Sequence, residues 1–377
     1  MYKRIIQNQI KAKFFKGKAI IIVGARQTGK TTLALELIGQ YGKNAIRSFN
    51  CDNPTDREVL SNKDLEFLQK LIGKARIIFI DEGQKVGTIG QTLKLLVDFY
   101  KNKKQIIVTG SSSFNLLDKT QEPLTGRKFV FNLFPLSMEE IYPEKNMLKV
   151  LKELESRLIY GSYPAVAAKE SFAEKEEELR ELSASYLYKD ILEFSRIKNS
   201  SALIGLLKAL ALQVGSEASY TELANIIGSD KKTVERYIDI LEKNYIVFKL
   251  HPYAKNKRKI ISKLKKIYFW DTGVRNAVIN NFNFLSFRDD TGALWENFII
   301  AERLKYQSYH KLYRDNYFWR TYDGAEIDLV EEKEGKLFGY EIKWGDKKIK
   351  EPKLWRETYK NAEYKVINKE NYLEFIV

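Results

Sequence analysis

The chain predicts an α/β fold with a parallel-sheet core, a helical and winged-helix middle, and a small α/β end. Three observations carry this expectation. Short apolar runs alternate with helical patterns over residues 1–145. The first run ends in a glycine-rich loop, Gly24-Ala25-Arg26-Gln27-Thr28-Gly29-Lys30-Thr31. Far downstream, a hairpin bearing acids and a lysine follows a helix that carries a glutamate of its own.

The expected strands of the first block are Lys18–Val23, Ile46–Asn50, Arg76–Ile80 and Gln105–Thr109. They are continuous apolar runs bounded by Gly, Asp or Ser, as strands covered on both faces require. Helices are expected over Thr31–Ile38 and Thr92–Tyr100. Residues 146–215 read as helical, with the acidic stretch Glu170–Glu181 as a solvated face and Ala202–Val214 as a buried helix. Residues 216–270 read helix, turn, helix, then β, and residues 271–377 return to mixed α and β.

Composition bounds the function. At about 100–200 residues per domain, 377 residues make two or three domains. With 44% hydrophobic and 30% charged residues, the chain can build a core and is not a disordered segment. One cysteine, Cys51, excludes an internal disulfide framework. Two histidines, His251 and His310, exclude a His-rich zinc site. The apolar runs fall short of the ~20 residues that a spanning helix needs. The expected setting is therefore cytoplasmic, with no membrane partner.

The formal net charge is +15, and its location is informative. Residues 1–30 hold eight basic and no acidic residues. Residues 251–270 hold seven, Lys255, Lys257, Arg258, Lys259, Lys263, Lys265 and Lys266, again with no acid. Eight and seven equal the whole excess.

The glycine-rich loop fits G-x-x-x-x-G-K-[ST], with a strand before it and a helix after. Gly24, Ala25, Arg26, Gln27, Thr28, Gly29, Lys30, Thr31 and Thr32 form the expected ATP-binding set. Backbone N–H groups and the helix N-terminus face phosphate, Lys30 reaches the β and γ phosphates, and Thr31 offers a hydroxyl to Mg²⁺. The run Ile77-Ile78-Phe79-Ile80-Asp81-Glu82 supplies the partner. Asp81 would hold the Mg²⁺ shell and Glu82 would activate water, which favours a hydrolase over a kinase. Thr109 and Ser111 are either sensors of the γ-phosphate or turn formers. Arg127 is either an arginine finger or a surface arginine.

Tyr220–Ile227, the turn Gly228-Ser229-Asp230 and Lys231–Asn244 have helix-turn-helix spacing. Val234, Ile238, Leu241 and Tyr245 make one stripe, and Ser229 is the expected N-cap. Lys231, Lys232, Thr233 and Arg236 face outward, but four acids balance that helix's four bases. The β segment Ile246–Leu250 and the arm Lys255–Lys266 read as the wing. Its charge points to DNA, against a reading as a protein-contact module.

In the last block, Asp328 and Glu341-x-Lys343 lie on the two strands of an expected hairpin, and Glu296 lies on the helix Gly292–Leu304. Asp328, Glu341 and Lys343 are the candidate catalytic residues. Glu296, Asp328 and Glu341 are the candidate Mg²⁺ ligands, because Mg²⁺ takes hard oxygens and keeps several waters. The spacing Asp-x(12)-Glu-x-Lys is that of PD-(D/E)XK phosphodiesterases. The alternative is a charged hairpin closed by a surface ion pair.

With these motifs in this order, the chain resembles the archaeal and bacterial AAA-type ATPases that carry a C-terminal domain of uncharacterised function. Further matching segments are Leu124-Thr125-Gly126-Arg127, Phe134-Pro135-Leu136-Ser137, Tyr160-Gly161-Ser162-Tyr163-Pro164, Tyr188-Lys189-Asp190-Ile191, Tyr268-Phe269-Trp270-Asp271-Thr272-Gly273 and Gly292-Ala293-Leu294-Trp295-Glu296-Asn297. The resemblance implies a P-loop NTPase core (1–145), a helical segment (146–215), a winged helix (216–270) and a restriction-endonuclease-like module (271–377). It implies no particular substrate. One position departs: Gly83 stands where the family has an aliphatic residue before Gln84, which is expected to loosen that turn. The reading is an ATPase, Mg²⁺-dependent, that binds and cuts DNA; oligomerisation is compatible with it. The alternative is an ATP-switched module with a non-catalytic nuclease-like end.

Overall fold

The computed structural model describes residues 2–111, 124–144, 147–184, 199–254, 264–345 and 349–377. Residues 255–263 of the basic arm, Ser112-Ser113 and Tyr188–Ile191 lie outside the described residues. The chain divides into two compact units, residues 1–135 with 243–245, and residues 136–242 with 246–377.

The first unit opens with helix α1 (Ile6–Lys11) and strand β1 (Ala19–Val23), then helix α2 (Lys30–Ile38) and strand β2 (Ile46–Asn50). Helices α3 (Pro54–Leu60) and α4 (Leu65–Ile72) lead to strand β3 (Ile77–Asp81). Helix α5 (Ile89–Tyr100), strand β4 (Gln105–Gly110) and strand β5 (Lys128–Asn132) complete it. The sheet order is β2-β3-β4-β1-β5, and every neighbouring pair is parallel. All five residues of β1 and all six of β4 are buried, which explains their unbroken apolar runs. Strand β5 has no such run, because it is a half-exposed edge strand. Strand order matters for the site. Placing β4 between β1 and β3 sets the carboxyl ends of these three strands side by side, where α/β sheets bind ligands.

In the second unit a seven-stranded sheet runs in the order β12-β11-β10-β9-β7-β8-β6. Its strands are β6 (Glu217–Ala218), β7 (Val247–Pro252), β8 (Lys265–Phe269), β9 (Asp315–Arg320), β10 (Glu326–Lys333), β11 (Lys336–Ile342) and β12 (Glu363–Ile367). The helices Tyr220–Ile226 and Lys231–Lys243 precede the antiparallel pair β7–β8. Strand β7 also pairs in parallel with β9 through His251–Tyr317 and Pro252–Phe318. The sheet therefore runs on across residue 270, the expected division between two modules.

Several motifs of the resemblance meet in this unit as structural clamps. Asp271 caps helix Thr272–Val278, accepting from Val274 N at 3.0 Å and from Ser162 N at 2.7 Å. Asn276 donates to the carbonyls of Leu158 and Ile159 at 3.1 and 2.8 Å. Asn297 both donates to and accepts from the Phe269 backbone at 2.8 Å. Each is a buried polar group with its hydrogen bonds made, as burial demands.

The helix-turn-helix expectation needs two corrections. The second helix is capped by Asp230, which accepts from Thr233 N at 2.9 Å; Ser229 is one residue too early. Tyr245 does not extend the stripe of Val234, Ile238 and Leu241; Tyr237 is buried with them instead. Tyr245 belongs to the first unit, where its hydroxyl donates to Asn132 at 2.9 Å.

Candidate functional site

The phosphate loop links β1 to α2, and Gly29 caps that helix at φ 90° and ψ 25°, a left-handed conformation that disfavours other residues. Inside the loop, Thr28 Oγ1 donates to the Ala25 carbonyl at 2.9 Å. Lys30 is buried and donates to the same carbonyl at 2.6 Å. Gln27 and Thr32 are exposed, and Arg26 and Thr31 are half-buried.

Thr31 Oγ1 donates to both carboxylate oxygens of Asp81, at 2.9 and 3.0 Å. The two expected Mg²⁺-shell residues are thus in contact, and both are hard oxygen donors of the kind Mg²⁺ takes. Thr109 Oγ1 donates to Asp81 and accepts from Glu82 N at 3.2 Å. Ser111 Oγ donates to Glu82 at 3.1 Å. The two candidate sensor hydroxyls therefore hold the two acids in place. Glu82 itself sits at φ 53°.

The sequence reading missed two residues here. Gln84 is buried and its amide donates to Glu82 at 2.5 Å and to Ser111 at 2.8 Å. Gly83 makes this possible. A Cβ there would lie 2.5 Å from the Val108 side chain, so the turn is close-packed rather than loose. The second residue is Arg4, counted before only as N-terminal charge. It is 6% exposed and donates to the carbonyls of Thr28 at 2.8 Å and Phe134 at 2.7 Å. No spacing rule links residue 4 to residues 28 and 134.

Arg4→Ala would strand two buried carbonyls. Hydrogen bonds from a charged donor are worth roughly 1.5–3 kcal/mol each, so a loss of about 3 kcal/mol is expected. Urea unfolding of the first transition checks this, and nucleotide affinity should fall with it. A loss below 1 kcal/mol, by the same scale, would remove Arg4 from the brace.

Burial pulls the Lys30 ammonium down to about 8, against the upward pull of Glu82 and Asp81. Bound phosphate favours the charged form. Nucleotide binding should therefore take up a proton above pH 8, and affinity should fall as pH rises past 8. Well below that pH the lysine is charged in both states and the dependence vanishes. Calorimetry in buffers of different ionisation enthalpy reads the proton, and Lys30→Arg should abolish the uptake.

Arg127 donates to Asp98 at 2.5 Å and to the Thr125 carbonyl at 3.3 Å. Within its own unit it is engaged away from Lys30 and Glu82, as a surface arginine is.

The second candidate site lies on the second unit's sheet. Leu329 pairs with Tyr340 across β10 and β11, so one step further Asp328 stands opposite Glu341. The β9–β10 register shifts between Ile327 and Val330, and Asp328 lies inside that irregularity. Such bulges re-aim side chains next to sites. Asp328 accepts from Ile342 N at 2.7 Å, and Lys343 pairs with Glu341 at 2.8 Å and Asp328 at 3.5 Å. Burial, and then the charge of Asp328, pushes the carboxyls of Glu341 and Glu296 above their usual range. Burial pulls Lys343 down, but Asp328 and Glu341 outweigh it and hold the ammonium above its usual value.

Glu296, on helix Thr291–Tyr309, accepts from the Tyr268 hydroxyl at 2.7 Å and Lys266 at 3.3 Å. Lys266 also pairs with Glu326 and is 2% exposed. This corrects the charge reading. Lys266 is a buried counter-ion of the carboxylate group, not an exposed charge of the wing. Lys265 lies over the Tyr220 ring, 5.8 Å from its centroid. The expected triad shares one electrostatic neighbourhood, yet among the described residues no three His, Cys, Asp or Glu side chains close into a metal cage. Lys343 stands between two of the acids and Lys266 engages the third. One observation favours a cation at the first pair. Glu341 Oε2 is buried and makes no hydrogen bond among the described residues.

Fold and site together define an AAA-type P-loop ATPase domain. A family model described as an AAA domain matches residues 16–142. Two domains of unknown function match further on, DUF8612 over residues 151–284 and DUF4143 over 291–374. An uncharacterised protein of Methanocaldococcus jannaschii is 25% identical over 391 residues, 97% of this chain and 84% of its own. One of Mycobacterium tuberculosis is 26% identical over 337 residues, 89% of this chain and 72% of its own. Among solved structures, a Walker-type ATPase of Pyrococcus abyssi matches at TM-score 0.51 and 13% identity, covering 74% of this chain and 96% of that one. Among the described residues, no helix is long and apolar enough to cross a membrane.

Proposed function

We propose that this protein hydrolyses Mg²⁺-ATP, binds DNA and cleaves it at the Asp328–Glu341–Lys343 site. The ATPase part is carried by one observation: Thr31, Asp81, Thr109, Glu82, Gln84 and Ser111 form a continuous hydrogen-bonded set beside buried Lys30. Thr31 and Asp81 would hold the cation, which offsets charge on the β and γ phosphates. Glu82 is the base for the attacking water.

For the second site, Asp328 and Glu341 would hold Mg²⁺, and Lys343 would stabilise charge that develops on the phosphate. The helix pair Tyr220–Ile226 and Lys231–Lys243, with β7 and β8 as its wing, would grip the duplex, with Lys231, Lys232 and Arg236 exposed on the second helix. A second reading, a non-catalytic hairpin in an ATP-switched module, is favoured by the ion pairs that already occupy Lys343 and Glu296. A Mg²⁺/Mn²⁺ cleavage assay on single-stranded, duplex and branched DNA, with and without ATP, separates the two. Cleavage on any substrate supports the first, and none on all of them supports the second.

A further inference from the structure

The second unit carries a cleft of about 770 Å³ that none of the motifs above uses. Its walls come from edge strand β12, from the helix Lys353–Thr358 and the chain after it, and from Ile349 and Glu351. Its polar lining is Glu351, Arg356, Tyr359, Lys360, Tyr364 and Lys365. A volume of several hundred Å³ is that of a ligand site, not of a packing defect.

The charges are unequal. Arg356 and Glu351 neutralise each other, 2.5 Å apart. Lys365 reaches only Glu374, at 3.9 Å, and half its side chain is exposed. Lys360 is exposed and makes no ion pair among the described residues. Two ammonium groups therefore dominate the cleft, flanked by two tyrosine rings.

Sheet register ties this cleft to the carboxylate site. Strand β12 pairs in parallel with β11, setting Tyr364 beside Gly339 and Val366 beside Glu341. Paired neighbours point to one face, and residues two apart share it, so Tyr364 stands on the face that carries Glu341. The Tyr364 hydroxyl is buried and without a hydrogen bond among the described residues. An unsatisfied buried hydroxyl costs stability, so a ligand group that reached it would be bound favourably.

We infer that this cleft binds a single strand of nucleic acid, with Lys360 and Lys365 on its phosphates and Tyr364 at the entrance to the Asp328–Glu341 pair. A cationic groove with aromatic rings along it suits single strands, because each base offers a π-face and each nucleotide a charge. The inference rests on the nucleic-acid reading above and names the form of its substrate.

The test uses the full chain and a fluorescein-labelled hexathymidylate in EDTA, so that no cleavage or metal is involved. Lys360→Glu with Lys365→Glu should weaken binding at least about tenfold and flatten the salt dependence by about 1.4 log units per log unit, two phosphates' share on a single strand. ATP hydrolysis should be unchanged. In parallel, the hexanucleotide should protect Lys360 and Lys365 of the unmodified chain from acetylation, read by mass spectrometry. Unaltered affinity in the double variant together with unprotected lysines overturns the cleft. If the unmodified chain binds no strand at all, the nucleic-acid reading itself falls, and the cleft with it.

Discussion

Glu82→Gln should leave ATP bound and remove its hydrolysis. The substitution keeps the shape and the hydrogen-bonding capacity toward Gln84 and Ser111, but a carboxamide takes no proton from water. Loss of a general base costs roughly 10²–10⁴-fold in rate. Phosphate release should fall by that factor while nucleotide affinity, read by a fluorescent analogue, changes less than about threefold, since a group acting only in the transition state leaves binding alone. A variant that retains a tenth of the activity would place the base elsewhere. The Thr31–Asp81 contact would be the next position to test, because its loss should weaken Mg²⁺-ATP itself.

Asp328→Asn should abolish metal-dependent DNA cleavage and spare the ATPase. Asp328 is 4% exposed, accepts from Ile342 N, and is the charge that raises the carboxyls of both Glu296 and Glu341. Without it, Glu341 alone faces a cation, and a site with one carboxylate binds Mg²⁺ weakly. Cleavage should drop by at least about 10³-fold, a metal's charge stabilisation being worth several kcal/mol. The phosphate-release rate of the same preparation is the control. Cleavage that survives the change in pure protein removes the site assignment, and ATPase lost in parallel marks a folding defect.

Much of this was legible from local spacing. The loop Gly24–Thr31, the acids Asp81-Glu82 and the Asp328…Glu341-x-Lys343 hairpin need only neighbours in sequence to be recognised. The strand runs of the first unit were readable because parallel strands are apolar on both faces. Strand β5 was not, because an edge strand carries a mixed pattern. Ser229 was chosen as a cap where Asp230 serves, since both residue types cap and one position decides.

The partners of these residues were not legible. Arg4 meets Thr28 and Phe134, 24 and 130 positions away. Lys266 meets Glu296, 30 positions away, and its burial follows from the joining of β8, β7 and β9 into one sheet. A charge count treats Lys266 as part of a basic arm, whereas the fold spends it on a buried carboxylate.

By itself, then, the sequence determined the chemistry available: a phosphate loop, two metal-capable acids beside it, and a second acid–lysine set. Only the tertiary structure decided which hydroxyls hold Asp81 and Glu82, and which cations answer Glu296 and Asp328. The physical reason is strand order. Side-chain chemistry and short spacings are written along the chain, but β4 between β1 and β3, and β12 beside β11, are non-local pairings. Those pairings alone set which buried groups must satisfy one another.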